Sequence, residues 1–338
     1  MITGSEMAVV DENAEALGVP RKQLMESSGN AVAQVVADVA DEGDSIHLVC
    51  GRGNNGGDAF VTARFLEEYD VSVSLLGRPE TITTDIAREN WDALVRSEIE
   101  THQIRDSSDA TLPDVDVVVD AMLGTGIAGD LREPAASMAT AMNQADATVV
   151  AVDVPSGLDG ETGELASTAV EADHVVTFHD SKPGLDALDA TIHVADIGIP
   201  DGAELFVERG DLRRIQRSAT SHKGENGEVL VVGGGPYSGA PAHAATAAYR
   251  AGADLVRVLV PERIRGELQG YSADLIVRGY DADQFGPSVL DRAREMATAA
   301  DVTVLGPGIG TADETQSAVA SFVAGHEGTM VVDADALK

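Results

Sequence analysis

The chain has 338 residues, 43% of them hydrophobic, one cysteine (Cys50) and a formal net charge of −34. That length suits two domains with sizeable cores; the lone cysteine excludes an internal disulfide framework, and no apolar run reaches the roughly 18 residues of a transmembrane helix. The 57 acids against 23 bases argue against a nucleic-acid partner, and because they are spread along the chain they read as a salt-adapted surface rather than an acidic tail.

The opening, MITGSEMAVVDENAEALG, lacks the basic and apolar regions of a signal peptide, which points to the cytoplasm. Residues 22–40 read as a helix that turns Leu24, Val32, Val35, Val36 and Val39 toward a core. An apolar strand at 46–50 runs into Gly51, Gly53 and Gly56, the G-x-G-x-x-G spacing, with a helix expected from Gly57 onward. A strand at 71–76 and a helix around 83–97 follow. The runs 115–120 and 147–153 are nearly continuous in apolar residues, as buried parallel strands require, and strands at 174–178 and 191–198 extend the series. This alternation predicts an open, doubly wound α/β sheet, a Rossmann-like three-layer sandwich.

The polar segment 213–227 reads as a linker and divides the chain into domains 1–215 and 216–338. A second series then begins. Strand 228–235 enters a glycine turn, a small-residue helix covers 239–252, and a strand covers 254–260. The segments 301–310 and 329–337 each end a strand in a turn. The series stops just after a strand with no helix behind it, so the second domain is expected to be partial.

In open α/β sheets ligands bind beyond the carboxyl ends of the strands, which directs attention to three loops. The first, Gly51 to Asp58, would suit a dinucleotide by its glycines. A Rossmann site also wants an acid at the end of the next strand, about 20 residues on, and Arg78 stands there instead. Asn54, Asn55 and Asp58 offer oxygens to a hydroxylated substrate or a hard monovalent cation; equally, Asn-Asn-Gly-Gly forms a turn and Asp58 an N-cap. The second loop follows Asp120, and its Gly124, Gly126 and Gly129 make a backbone cradle for phosphate, unless Asp120 only caps its strand. The third places Asp153 and Ser156 at one mouth, or forms a plain Pro-Ser-Gly turn. Asp120 and Asp153, at adjacent strand ends, are candidates to share acid–base work. No Cys/His spacing suggests zinc, and His174, His179 and His193 read as solvated or structural.

Taken in order, GRGNNGGD, VVVDAMLGTGIAGDLREP and VAVDVPSGLDGETG resemble the NAD(P)H-hydrate epimerase domain. The pieces SHKGENGEVLVVGGGPYSGAPAHAATAAYRAGADLVRV, VLGPGIG and VVDADALK resemble the ADP-dependent NAD(P)H-hydrate dehydratase domain, which has a ribokinase-like fold. The resemblance implies repair of hydrated nicotinamide cofactor, with NADHX and NADPHX as substrates and no membrane or nucleic-acid partner; a homo-oligomer stays open. It implies that Asn54, Asn55, Gly56, Gly57 and Asp58 contact the hydrate. The same holds for Gly124, Thr125, Gly126, Ile127, Ala128, Gly129 and Asp130. By the same resemblance Asn55, Asp120 and Ser156 match ligands of one K+ ion, and Asp153 matches the substrate-binding acid beside the reacting ring, where it is the candidate catalytic group. Ala240 and Gly308 match substrate contacts of the dehydratase, which uses ADP or ATP. The chain departs from the usual pattern at Ala59, where a glycine is expected, and lacks the later dehydratase loops, so no dehydration is expected from this chain alone. An NAD(P)-dependent oxidoreductase and a non-catalytic binding module are the rival readings.

Overall fold

Two helices precede the first strand in the computed structural model, which describes residues 1–125 and 129–338. Helix α1 (Gly4–Ala16) is opened by a capping box: the Thr3 hydroxyl accepts the Glu6 N–H while the Glu6 carboxylate accepts the Thr3 N–H. Helix α2 (Arg21–Val39) starts behind Pro20 and buries Leu24, Val32 and Val36, the face expected from its periodicity.

The chain then alternates through β1 (Ser45–Cys50), α3 (Asn54–Phe65), β2 (Asp70–Leu76), α4 (Asp85–Arg96), β3 (Glu100–Ile104), β4 (Val117–Ala121), α5 (Ala135–Gln144), β5 (Thr148–Val152), β6 (His174–Phe178), β7 (Thr191–Ala195) and the short α6 (Gly202–Leu205). The seven strands pair in the order β3-β2-β1-β4-β5-β6-β7, all parallel. The direction of progression reverses between β1 and β4, so the loops leaving those two strands diverge and open a crevice at the sheet's carboxyl edge.

Side chains alternate between the two faces. Val117, Val119 and Ala121 join Ile46, Leu48, Phe60 and Trp91 in one core, while Val118 and Met122 meet Met138, Ala139 and Met142 of α5 in another. Phe60 and Trp91 meet edge to face with centroids 5.1 Å apart, worth about 0.5–1.5 kcal/mol beyond their buried area. Ala59, at the place where a glycine was expected, is fully buried in the first core.

The described chain divides into two compact units, Met1–Arg214 and Ile215–Lys338. The second carries β8 (Glu228–Val232), α7 (Gly239–Ala251), β9 (Leu255–Pro261), α8 (Glu262–Gln269), β10 (Ile276–Tyr280), α9 (Leu290–Thr298), β11 (Val302–Leu305), α10 (Asp313–Ala324) and β12 (Thr329–Val332). Its parallel strands pair in the order β10-β9-β8-β11-β12. Part of the segment read as a linker is pinned to this unit. Asp254 pairs with Arg217 at 2.8 Å and accepts the N–H groups of Gly224 and Asn226 at 3.0 Å each.

Candidate active site

A cavity of about 1110 Å³ opens at the carboxyl edge of the first sheet. It is lined by α1 and α2, by the loops after β1 and β4, and by the ends of β5 and β6. The glycines of the first loop serve backbone packing. A Cβ on Gly51 would lie 1.8 Å from the Met122 carbonyl oxygen, and one on Gly56 would lie 2.1 Å from that of Gly51. Only glycine lets the two loops meet there. The helix behind the loop begins at Asn54, three residues earlier than its sequence suggests. Asp58 therefore lies in the second turn of α3 and cannot be an N-cap.

Six carboxylates line this cavity, and three of them, Asp153, Asp58 and Asp11, lie in reach of the one lining lysine or of one another. Asp153 follows β5 with φ of 64°, the left-handed region that Asp tolerates better than most residues. Its N–H is held by the Val176 carbonyl at 2.7 Å. One carboxylate oxygen, Oδ1, accepts the Thr177 hydroxyl at 3.2 Å and lies 3.3 Å from Lys182 Nζ. The other, Oδ2, makes no hydrogen bond among the described residues and is free to meet a ligand. Lys182 is 1% exposed, and its ammonium also donates to Thr177 Oγ1 and to the carbonyls of Phe178 and Asp180 at 3.0–3.1 Å. A lysine is almost never so buried without partners, and these four contacts satisfy it.

Asp58 is 8% exposed, and its carboxylate makes no hydrogen bond among the described residues. Burial first, then the nearby charges of Asp153 and Asp11, raise its pKa well above the ordinary carboxylate value. Asp11, on α1, is also raised, mainly by burial, with Arg21 and Lys182 acting in the opposite direction. Two contacts fix α1 near the end of β6: the Met1 ammonium reaches Asp180 at 2.5 Å, and the Ile2 N–H donates to the Ser181 carbonyl.

Beneath the cavity lies Asp120, at the end of β4 and fully buried. Its carboxylate accepts the N–H of Met122 at 3.1 Å and the N–H and hydroxyl of Ser156 at 2.7 Å each. No cation pairs with it among the described residues, and burial pushes its pKa up to about 6 despite those bonds. The Leu123 backbone ties the group together, donating to Ser156 Oγ and accepting from Asn55 Nδ2 at 3.0 Å each. A carboxylate, an amide oxygen, a hydroxyl and a backbone carbonyl thus gather around an uncompensated negative charge. That donor set fits a hard cation.

The structure brings Asn54, Asn55, Asp58, Gly124, Thr125, Asp130 and Asp153 to the lining of one cavity. Gly56 and Gly57 are not part of the lining; they pack against Gly51 and Met25 and support the loop. Gly129 is not part of the lining, and Gly126, Ile127 and Ala128 lie outside the described residues. Ser156 does not share the mouth with Asp153: it is 1% exposed and bound to Asp120 below. Asp120, equally enclosed, is not the carboxylate that faces Asp153; Asp58 and Asp11 are. Arg78 is exposed and outside the lining, whereas Arg52 and Arg132 line it. In the second unit Gly308 and Ala240 are neighbours, since a Cβ on Gly308 would lie 3.2 Å from that of Ala240.

Sequence reasoning missed Asp11 and Lys182. Asp11 sits on a helix whose apolar pattern is weak, and nothing local marks it. Lys182 carried a signal: it is one of four lysines in the chain and follows the apolar strand 174–178, at the edge where ligands bind. The three histidines read as solvated or structural are paired. His174 and His193 bond each other at 3.1 Å, and His179 pairs with Glu204. A second hollow, of about 600 Å³, reaches His47, which is held between Ser72 and Ser74; burial lowers its pKa to about 4, so it is neutral at physiological pH.

Comparisons with known proteins agree with this partition. Residues 21–184 match the family described as YjeF-related protein N-terminus, and residues 229–338 match the family described as NAD(P)H-hydrate dehydratase. The chain is 45% identical over 351 residues to the bifunctional NAD(P)H-hydrate repair enzyme of Methanothermobacter thermautotrophicus, covering 98% of this chain and 67% of that relative. It is 43% identical to the enzyme of the same description from Pyrobaculum aerophilum, covering 100% of this chain and 70% of the relative. Among solved structures, the yeast protein ynu0 is similar with a TM-score of 0.50 and 22% identity, over 67% of this chain and 98% of that one. The last likeness concerns fold alone.

Proposed function

The chain belongs to the family of bifunctional NAD(P)H-hydrate repair enzymes, and from that premise we propose that its first unit interconverts the R and S hydrates of NADH and NADPH at C6. The supporting observation is Asp153, with one carboxylate oxygen fixed by Lys182 and Thr177 and the other open to the cavity. C6 of a hydrated nicotinamide bears a hydroxyl and bonds to N1, so it is a carbinolamine. Erasing its stereocentre requires a group that moves a proton at that hydroxyl. Asp153 is that group. A residue held in a sparsely populated backbone region at a cavity is a recurrent mark of function, and strain of about 1–3 kcal/mol is tolerated there when the surroundings enforce it.

Asn54, Asn55, Gly124, Thr125 and Asp130 border the space that the hydrate and its phosphates would fill, with the start of α3 offering free amides. Asn55, Asp120 and Ser156 would hold one potassium ion. Bound there, the ion supplies the positive charge that the buried Asp120 lacks, and it draws together the loops after β1, β4 and β5. The second unit is read as the dehydratase half of the same repair, with Ala240 and Gly308 toward the S hydrate and ADP, or ATP, as its nucleotide. The same reading places the chain in the cytoplasm, where its acid-rich surface suits high salt. Among the described residues no helix is long and apolar enough to cross a membrane.

The reading is tested by supplying pure R hydrate of NADPH and following the S hydrate by chromatography. Appearance of the S form faster than in buffer supports it. An unchanged rate removes it.

A further inference from the structure

Epimerisation by loss and return of water needs proton traffic on both faces of the ring. The hydroxyl must be protonated as it leaves one face, and the water adding to the other face must be deprotonated. A single carboxylate serves one face. The cavity offers a second that the epimerase reading leaves without a chemical role. Asp58 lines the cavity from the second turn of α3, while Asp153 enters from the end of β5. Asp58 is 8% exposed as a residue, and its carboxylate lies at the cavity wall with no hydrogen-bond partner among the described residues. A buried ionised carboxylate without partners is strongly disfavoured; a protonated one with its O–H directed at a ligand is not.

We propose that Asp58 is the second proton-transfer group of the epimerase, acting across the nicotinamide ring from Asp153. This rests on the epimerase reading. In one direction the Asp58 O–H gives its proton to the C6 hydroxyl. The C6–O bond breaks, water leaves, and the N1 lone pair forms the N1=C6 double bond. Water then attacks C6 from the opposite face while Asp153 takes its proton. One C–O bond breaks, one forms, and one proton has moved from Asp58 to the Asp153 side. The reverse direction exchanges the roles.

The charges around the two groups fit this division. Asp153 has Lys182 beside it. Asp58 faces Asp153 and Asp11, both acidic, and has no cation in salt-bridge contact among the described residues. Asp11 is the weaker candidate, because Arg21 and Lys182 oppose its protonation. Since burial and two acidic neighbours raise the Asp58 pKa, the donor form persists to higher pH than an ordinary carboxylic acid, and activity falls as pH rises through that raised value.

The test compares the full chain with Asp58→Asn and Asp58→Glu on pure R and S hydrates of NADPH, in ordinary and in 18O-labelled water. Asn keeps the shape and cannot transfer a proton. The expected result is a kcat lower by about 10²–10⁴ with KM little changed, and loss of the alkaline limb of the pH profile. Asp58→Glu should restore part of kcat and the alkaline limb, which separates proton transfer from a fold defect. Label should enter the C6 hydroxyl as the stereocentre inverts. Wild-type kcat in Asp58→Asn, an alkaline limb unchanged in that variant, or inversion with the original oxygen retained would each overturn the proposal while leaving the epimerase reading intact. A wild-type chain that interconverts neither hydrate overturns both.

Discussion

Both units run parallel strands into glycine-bearing turns, yet they treat charge differently at those turns. The first buries His47, Asp58, Asp120 and Lys182, whereas the buried polar residues of the second are Thr303 and Thr315. The contrast is sharpest between two sheltered carboxylates. Asp254 in the second unit meets Arg217, the Gly224 N–H and both nitrogens of Asn226. Asp58 in the first meets no donor among the described residues. A carboxylate whose oxygens are fully engaged holds a structure together, while one buried without partners awaits a ligand or a proton. The comparison separates structural from chemical acids in a chain that carries 57 of them.

The comparison is broken most easily at Asp153. Asp153→Asn should lower epimerisation by about 10²–10⁴ with the fold retained, checked by turnover and circular dichroism together. Next in size is Lys182. Lys182→Met leaves Asp153 facing a low-dielectric wall without its counter-charge, and should cost about 3–5 kcal/mol in denaturant unfolding. Lys182→Arg keeps the charge but not the compact geometry that reaches two carbonyls and a hydroxyl. It should fall between the two.

The cation site gives a smaller effect. Potassium should stabilise the chain relative to tetramethylammonium at equal ionic strength, by about 2.7 kcal/mol at a hundredfold excess over Kd, read as a higher melting temperature. Asp120→Asn should abolish the difference between the two salts. Smallest of all is the second unit. Asp254→Ala should lower the melting temperature slightly through the N–H groups it leaves unpaired, and leave epimerisation by the first unit untouched.

The first sheet was legible because buried parallel strands announce themselves as apolar runs, and six of its seven strands are found within a few residues of where the sequence places them. Strand β3 escaped notice because Glu100–Ile104 lies at the sheet edge and is mostly exposed, so it shows no apolar run. Helix α1 escaped for a related reason: its buried face is Val9, Val10, Asn13 and Ala14, and a buried asparagine breaks the apolar stripe. Asn13 is there to bond Ala203, Asp211 and Gly210, residues about 190 positions away that no local pattern can reveal. The site was legible loop by loop but not in depth. Sequence placed Asp120, Ser156 and Asp153 at neighbouring strand ends. It gave no sign that the first two sit below the cavity and bond each other, because depth depends on how the loops fold over the edge. The sequence points to the adjacent strand for a partner of Asp153, whereas its ionic partner is Lys182 and the acids nearest it in the cavity, Asp58 and Asp11, lie on helices.

The central claim is that the cavity carboxylates of the first unit are chemical and the sheltered carboxylate of the second is structural. The most direct measurement is the rate of conversion of pure R to S NADPH hydrate, taken side by side for the wild-type chain, Asp153→Asn and Asp254→Asn. The account predicts that conversion collapses in the first variant and stays at the wild-type rate in the second. Full activity in Asp153→Asn, or an equal loss in both variants, would contradict it.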